Sequence, residues 1–328
     1  MLAGVAVAAV ALAGCSSTTS TSASAPPENQ ATVVATTTIW GNVADQIVTC
    51  AGEGSVTTLI PVGADPHDYA ASSRDVATMV DADLVVTNGL GLEEGLNSAL
   101  ASAESDGATV FAVAPQLNPI PFTGEHSEGE AAHSEEDAGH SDESADPSAA
   151  GSQSMDPHVW LDMSRVATGA ELIGQELARQ TGNNNYATCG TTVAAEITAA
   201  NQEVTAILNT VPESSRVLVT DHDAFGYFSQ AYGYDVAGVV IPGGSTLAQP
   251  SSEELSALAA TMKANGVSTI FANTANPSAL VDALAGEVGN VAVVPLYVGS
   301  LGAPDSDAAT YQAMMLTNAR LIQEGLTG

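Results

Sequence analysis

The sequence predicts an α/β protein of two lobes, each a parallel sheet flanked by helices. Two observations carry that reading. On both sides of a polar interruption, short β-rich runs alternate with longer amphipathic ones, the order that builds parallel sheets with helices on their faces. One long helical stretch, residues 186–209, lies where it can join two such units. The chain has 328 residues, 45% of them hydrophobic, which is ample for two buried cores.

Residues 1–13 are an uncharged apolar run, shorter than the ~20 residues a helix needs to cross a bilayer. The run leads into Leu12-Ala13-Gly14-Cys15, and small residues just before a cysteine resemble a bacterial lipobox. Residues 1–14 therefore read as a lipoprotein signal peptide, with Cys15 as the lipidated residue. Residues 15–30, rich in Ser, Thr, Ala and Pro, read as a flexible tether. Acyl chains on Cys15 would hold the protein on the outer face of the cytoplasmic membrane.

The first lobe, residues 31–185, has candidate strands at 32–37, 56–60, 84–88 and 109–113. Helical patterns fill 40–50, 73–81 and 93–103, and another follows at 164–180. Residues 186–211 form the linking helix. The second lobe, residues 212–328, has candidate strands at 216–220, 236–241, 268–272 and 291–295. Its helices are expected at 225–232, 252–264, 277–287 and 308–325.

The interruption, residues 122–154, has nine acidic residues and no basic one. It cannot bury enough apolar surface to offset its ordering entropy, so the sequence predicts disorder. A structureless loop of this length inside a domain calls for a function. Three units recur at heptad spacing: His126-Ser127-Glu128, His133-Ser134-Glu135 and His140-Ser141-Asp142. No apolar residues mark a coiled-coil seam. The array reads instead as imidazoles and carboxylates that capture divalent metal weakly and in several copies.

Charge narrows the function classes. Six basic residues stand against 38 acidic ones, a net charge of −32. Such a chain has almost no cations with which to displace phosphate counterions, which excludes nucleic acid, and a polybasic membrane patch is excluded for the same reason. Cationic partners are favoured, and metal ions are the smallest of these. With Cys15 lipidated, Cys50 and Cys189 remain, an even number in an oxidising compartment. They read as a disulfide, with two buried thiols as the alternative.

Outside the acidic loop the chain has three histidines, each beside Asp in a turn-like context. His67 lies in Pro61-Val62-Gly63-Ala64-Asp65-Pro66-His67, after a candidate strand. His158 lies in Met155-Asp156-Pro157-His158-Val159-Trp160-Leu161-Asp162, ahead of a helix. His222 lies in Thr220-Asp221-His222-Asp223, read as the loop between a strand and the next helix. In open α/β sheets ligands sit beyond the carboxyl ends of the strands, where such loops lie. If the fold brings them together, three neutral imidazoles make a nitrogen site that suits zinc better than a hard-oxygen metal; carboxylate in place of imidazole would favour manganese. Asp65, Asp156, Asp221 and Asp223 are placed to orient the rings.

The set PVGADPHDY, MDPHVWLD and TDHDAFGYF, followed by TYQAMMLTNARLIQEGL, resembles the zinc/manganese solute-binding lipoproteins of metal ABC transporters, the ZnuA-like and TroA-like group. The resemblance implies two Rossmann-like lobes joined by one long rigid helix, with metal in the cleft between them. It implies a monomeric, non-enzymatic receptor that hands its ion to a membrane permease, and a small lobe closure. His67, His158 and His222 match the family's first three ligand positions. Histidine at the third, and the acidic His-rich loop before the second, point to Zn2+ as cargo, with Mn2+ as the alternative. One departure is visible: in Leu296-Tyr297-Val298-Gly299-Ser300-Leu301, Gly299 stands where the family often has an acidic fourth ligand. Water, or a displaced acid such as Asp305 or Asp307, would then complete the site.

Two rivals come from other classes. A three-His zinc hydrolase needs a general base, and neither HExxH nor GxSxG is present. A metal-binding surface adhesin would bind its partner fully without metal.

Overall fold

The computed structural model describes residues 1, 30–122, 154–276 and 279–328. Cys15, the tether and His126, His133 and His140 lie outside the described residues. Among the described residues no helix is long and apolar enough to cross a membrane.

Two four-stranded parallel sheets form the two lobes. The first has β1 (Thr32–Ala35), β2 (Ser55–Thr58), β3 (Leu84–Thr87) and β4 (Val110–Ala112) in the order β2-β1-β3-β4. Its helices are α1 (Thr38–Ala51), α2 (Ser73–Val80) and α3 (Asn97–Ser105). The second has β5 (Val217–His222), β6 (Asp235–Ile241), β7 (Thr269–Asn273) and β8 (Ala292–Leu296) in the matching order β6-β5-β7-β8. The helices α6 (Gly226–Tyr232), α7 (Ser252–Asn265), α8 (Ala279–Val288) and α9 (Tyr311–Thr327) complete that lobe. Between the sheets lie α4 (Met163–Thr181) and α5 (Asn185–Leu208). Pro295 falls in β8, an edge strand, where its missing donor costs no ladder bond.

The inner strands β1, β3, β5 and β7 are buried because both of their faces are covered, whereas the edge strands β2 and β8 stay partly exposed. Val33 and Ala35 point into the central core, whereas Val34 between them faces α2 and α3 with Leu59, Met79 and Val85. The second sheet repeats the arrangement, Leu218 facing the central core and Val219 the side under α7 and α8. The central core is continuous through both lobes, running from α1 through α4 and α5 to α9. Two lobes that share one core can shift only by small sliding of packed helices.

Helix α5, about 36 Å long, carries that core from one lobe to the other. It crosses α4 where Gly174 meets Gly190: a Cβ on Gly190 would lie 2.7 Å from the Ala170 carbonyl and 3.1 Å from Gly174 Cα. Cys189, one residue away, is bonded to Cys50 of α1, which ties the helix to the first lobe. At the other end of the core, Tyr311 opens α9 and reaches into the first lobe: its hydroxyl donates to the Trp160 carbonyl at 2.6 Å and its N–H to Asn42 Oδ1 at 2.9 Å.

Several boundaries differ from the sequence expectation for physical reasons. His222 is not in a loop but is the last residue of β5, because it still pairs with Ile241 of β6. Helix α9 begins at Tyr311 rather than 308, since the Thr310 side chain caps it by accepting from Ala313 N. Glu93 does not open a helix. It is buried ahead of a short 3₁₀ turn, where its carboxylate accepts from the Thr36 and Thr87 hydroxyls and from the amides of Asn88 and Gly89. The two sides of the interruption meet in a short antiparallel stitch: Phe122 N donates to Ser154 O, Asp156 N donates to Ile120 O, and Pro121 bridges to Met155.

Candidate metal centre

All three histidines outside the acidic loop come together between the lobes, at the carboxyl ends of the strands. His67 arrives on the loop after β2, His158 on the segment leading into α4 and His222 at the tip of β5. They are 3%, 1% and 1% exposed. Ring centroids are 5.4 Å apart for His67 and His158, 5.9 Å for His67 and His222, and 5.2 Å for His158 and His222. One ring nitrogen from each lies within 4.8 Å of the others, and among the described residues no other His, Cys, Asp or Glu joins the group. Nε2 of His67 is 3.3 Å from Nε2 of His158.

The repeated Asp-Pro-His has a local cause. In both copies the Asp carboxylate folds back to accept the His amide two residues on: His67 N–H donates to Asp65 Oδ1 at 3.0 Å, and His158 N–H to Asp156 Oδ1 at 2.9 Å. Each turn thus fixes where its imidazole leaves the backbone. Asn88 adds a brace from β3, donating to the Pro157 carbonyl at 2.9 Å while accepting from the Trp40 indole. From the second lobe, the Tyr227 hydroxyl donates to the Asp156 carbonyl at 2.7 Å and accepts from Ile120 N–H. Gly226 lets that element come close, since a Cβ there would lie 2.8 Å from Asp156 Oδ2.

Carboxylates also orient two of the rings. Nδ1 of His158 is 2.8 Å from Asp156 Oδ1, and Nδ1 of His222 is 3.1 Å from Asp221 Oδ1. Asp221 is itself held, its Oδ2 accepting Asn273 N–H at 3.0 Å. With a proton on Nδ1, each of these rings turns a lone pair toward the common centre. His67 differs: its Nδ1 is buried without a partner. Asp65 holds its backbone rather than its ring, and Asp223 is half-buried beside the group.

The electrostatics prepare the group for a cation. Burial, then the neighbouring imidazoles of His158 and His222, lower His67 to about 3. Burial first, then His222, holds His158 well below its ordinary value. At His222 burial pushes down, but the Asp221 carboxylate and its hydrogen bond outweigh it and the net shift is upward. Burial raises Asp156 to about 7, against the His158 amide bond and the His222 charge, and burial with Asp156 raises Asp223. Burial thus favours the neutral, metal-competent form of His67 and His158, while Asp221 favours the protonated form of His222.

Gly299 sits in the turn after β8. A Cβ there would lie 3.0 Å from Pro66 Cδ and 3.4 Å from Asn273 Nδ2. The buried Pro66 ring thus stands in tight contact with the place where a side chain at 299 would begin. Asp305 and Asp307 are exposed, unlike the buried triad. Asn88, Tyr227 and Trp160, whose indole donates to the Val298 carbonyl at 2.8 Å, are supporting residues that the sequence did not mark.

The family model described as ZnuA, "Zinc-uptake complex component A periplasmic", matches residues 33–325. The manganese-binding lipoprotein MntA of Halalkalibacterium halodurans is 27% identical over 298 residues, covering 90% of this chain and 88% of its own length. The zinc-binding protein TroA of Treponema pallidum is 28% identical over 294 residues, covering 87% and 86% respectively. The solved structure of the periplasmic zinc-binding protein TroA from Treponema pallidum superposes with a TM-score of 0.73 at 27% identity, covering 91% of this chain and all of that one.

Proposed function

We propose that this chain, which belongs to the zinc-uptake complex component A family, holds one zinc ion on His67, His158 and His222 and delivers it to an ABC permease. Family membership carries the coarser part. The protein is a non-enzymatic, metal-binding component of an ABC transporter, with a membrane permease as partner and an extracytoplasmic place of work. The choice of zinc rests on one observation: three buried imidazoles gather their nitrogens within 4.8 Å with no carboxylate among them. Zinc takes such nitrogen donors at four-coordinate sites, whereas manganese is favoured by oxygen donors. Gly299 is consistent with this, because it offers no carboxylate from that turn and Pro66 packs closely against it.

In this reading the protein acts as a monomer, Cys15 carries the lipid anchor, and His126, His133 and His140 gather zinc before it reaches the buried site. The stitched ends of that segment stand two residues ahead of His158 by way of Asp156, and the Phe122 ring lies against Gly244 of the second lobe.

A competitive titration of zinc against manganese, on protein from residue 28 onward without residues 123–153, tests the reading. One tight zinc site with much weaker manganese binding is expected, and His67→Ala, His158→Ala or His222→Ala should each abolish it. Manganese preference, the reading that the MntA relative's name carries, would overturn zinc as the cargo. Undiminished affinity in all three variants would overturn the site.

A further inference from the structure

Two of the three clustered histidines are braced through their rings, by Asp156 and Asp221. His67 has no such brace, its Nδ1 being buried and unpartnered, so its position depends on its backbone. The amide of His67 donates to Asp65 Oδ1 at 3.0 Å. The other oxygen of that carboxylate, Oδ2, accepts the Thr246 hydroxyl at 2.6 Å, and Thr246 belongs to the opposite lobe. Thr246 is 5% exposed and lies on the loop after β6, residues 242–250, which contains no titratable side chain.

We propose that Thr246 is a positioning residue for metal retention, latching the loop that carries His67 to the second lobe through Asp65. The proposal rests on the three-histidine site put forward above. Two further contacts press the same loop onto the second lobe: Gly63 N–H donates to Ser300 Oγ at 2.8 Å, and Pro66 packs over Gly299. Of the loop's contacts across the cleft, only Thr246–Asp65 bears directly on the group that holds the His67 amide. It also borders a cavity of about 430 Å³ at the cleft mouth, lined by Asp65, Asp68, Tyr69, Thr246 and Leu247 among others. A small slide of the lobes there lets water from that cavity replace Thr246 on Asp65 Oδ2, and the carboxylate that accepts the His67 amide through Oδ1 is no longer fixed. Because the bond joins the two lobes beside the site, it bears on how long the ion stays more than on how fast it arrives.

The test is zinc release from the full-length protein, loaded with one equivalent of zinc and mixed with excess EDTA in a stopped-flow instrument. Thr246→Val removes the donor at nearly constant shape, and Thr246→Ser keeps it. Thr246→Val is expected to release zinc roughly ten- to hundredfold faster, the range for a lost hydrogen bond to a charged group. Association should change less than about threefold. Thr246→Ser should return release to near the wild-type rate. Wild-type release by Thr246→Val, or equal acceleration by both variants, would overturn the latch.

A metal-free measurement separates this proposal from the one beneath it. Amide exchange of the peptide covering residues 61–69 should be faster in Thr246→Val than in wild type and Thr246→Ser. If the wild-type protein holds no tight zinc, the zinc-receptor reading fails, and the exchange result alone then supports or refutes the latch.

Discussion

Asp221→Asn is the sharpest probe of how the second lobe presents His222, its proposed ligand. The carboxylate is 1% exposed and serves two donors at once: His222 Nδ1–H at 3.1 Å and Asn273 N–H at 3.0 Å. A carboxamide has one acceptor oxygen, so one donor must face an NH₂ group. If the oxygen stays with Asn273, the ring is driven to place its proton on Nε2, the nitrogen needed for the metal. If the oxygen stays with His222, a buried amide is orphaned at a cost of about 1–3 kcal/mol. Loss of a carboxylate behind a ligating imidazole lowers metal affinity roughly ten- to hundredfold, about 1.4–2.7 kcal/mol. The sign of the pH effect adds a second constraint. Asp221 is what raises His222 against its burial, so proton competition at that ring is stronger in wild type than in the variant. The affinity gap should therefore be widest near pH 8 and narrow toward pH 6. Competition with a chromophoric chelator at both pH values measures it. A gap under threefold at pH 8, or one that widens on acidification, refutes the role assigned to Asp221.

For the wild-type protein, the free imidazole value of about 6.5 would place the loss of zinc affinity below that pH. With His67 lowered to about 3 and His158 well below its ordinary value, His222 is the one of the three imidazoles whose proton competes with a metal near neutrality, and Asp156, raised to about 7 beside His158, is a second source of protons. Affinity should thus rise with pH and still be rising above pH 6.5; calorimetry in buffers of different ionisation enthalpy should find net proton release at pH 7, and none would contradict the assignment. Gly299→Asp should lower zinc affinity rather than create a manganese site, because its Cβ would stand 3.0 Å from Pro66 Cδ and push on the His67 loop. The expected overpacking cost is about 1–3 kcal/mol, read as a lower melting temperature together with the zinc titration. Replacing Cys50 and Cys189 by Ser opens a link between residues 139 apart, for which chain entropy predicts a loss of about 5 kcal/mol at most. Thermal unfolding should show the loss while zinc affinity stays within about threefold, since neither sulfur belongs to the metal group.

What the sequence revealed was whatever is decided within a few residues. Asp-Pro-His could be read because the Asp acceptor and the His amide are two positions apart, and the turn is the same in both copies. The alternation of strands and helices could be read because the inner strands β1, β3, β5 and β7 are covered on both faces and therefore rich in apolar residues. His222 was misplaced into a loop because the end of β5 is set by its pairing with Ile241, a partner outside the local pattern. Asn88, Tyr227 and Thr246 escaped notice for the same reason on a larger scale. Their bonds to Pro157, Asp156 and Asp65 span 69, 71 and 181 residues. Gly299 was visible as a missing acid, but nothing near it in sequence announced that Pro66 packs against it.

The stitch between residues 120–122 and 154–156 has a consequence for how this protein can diverge. It closes the interruption with its own hydrogen bonds, so the strands that carry the chain out and back stay side by side whatever is spliced between them. Doubling the length of such an insertion adds only about 0.6 kcal/mol of closure entropy. Lengthening, shortening or re-composing the histidine repeat is then nearly neutral for stability and leaves Asp156 and His158 where they are. On the function proposed above, mutation can then tune metal capture by the histidine repeat and the grip of the buried imidazoles as two separate traits.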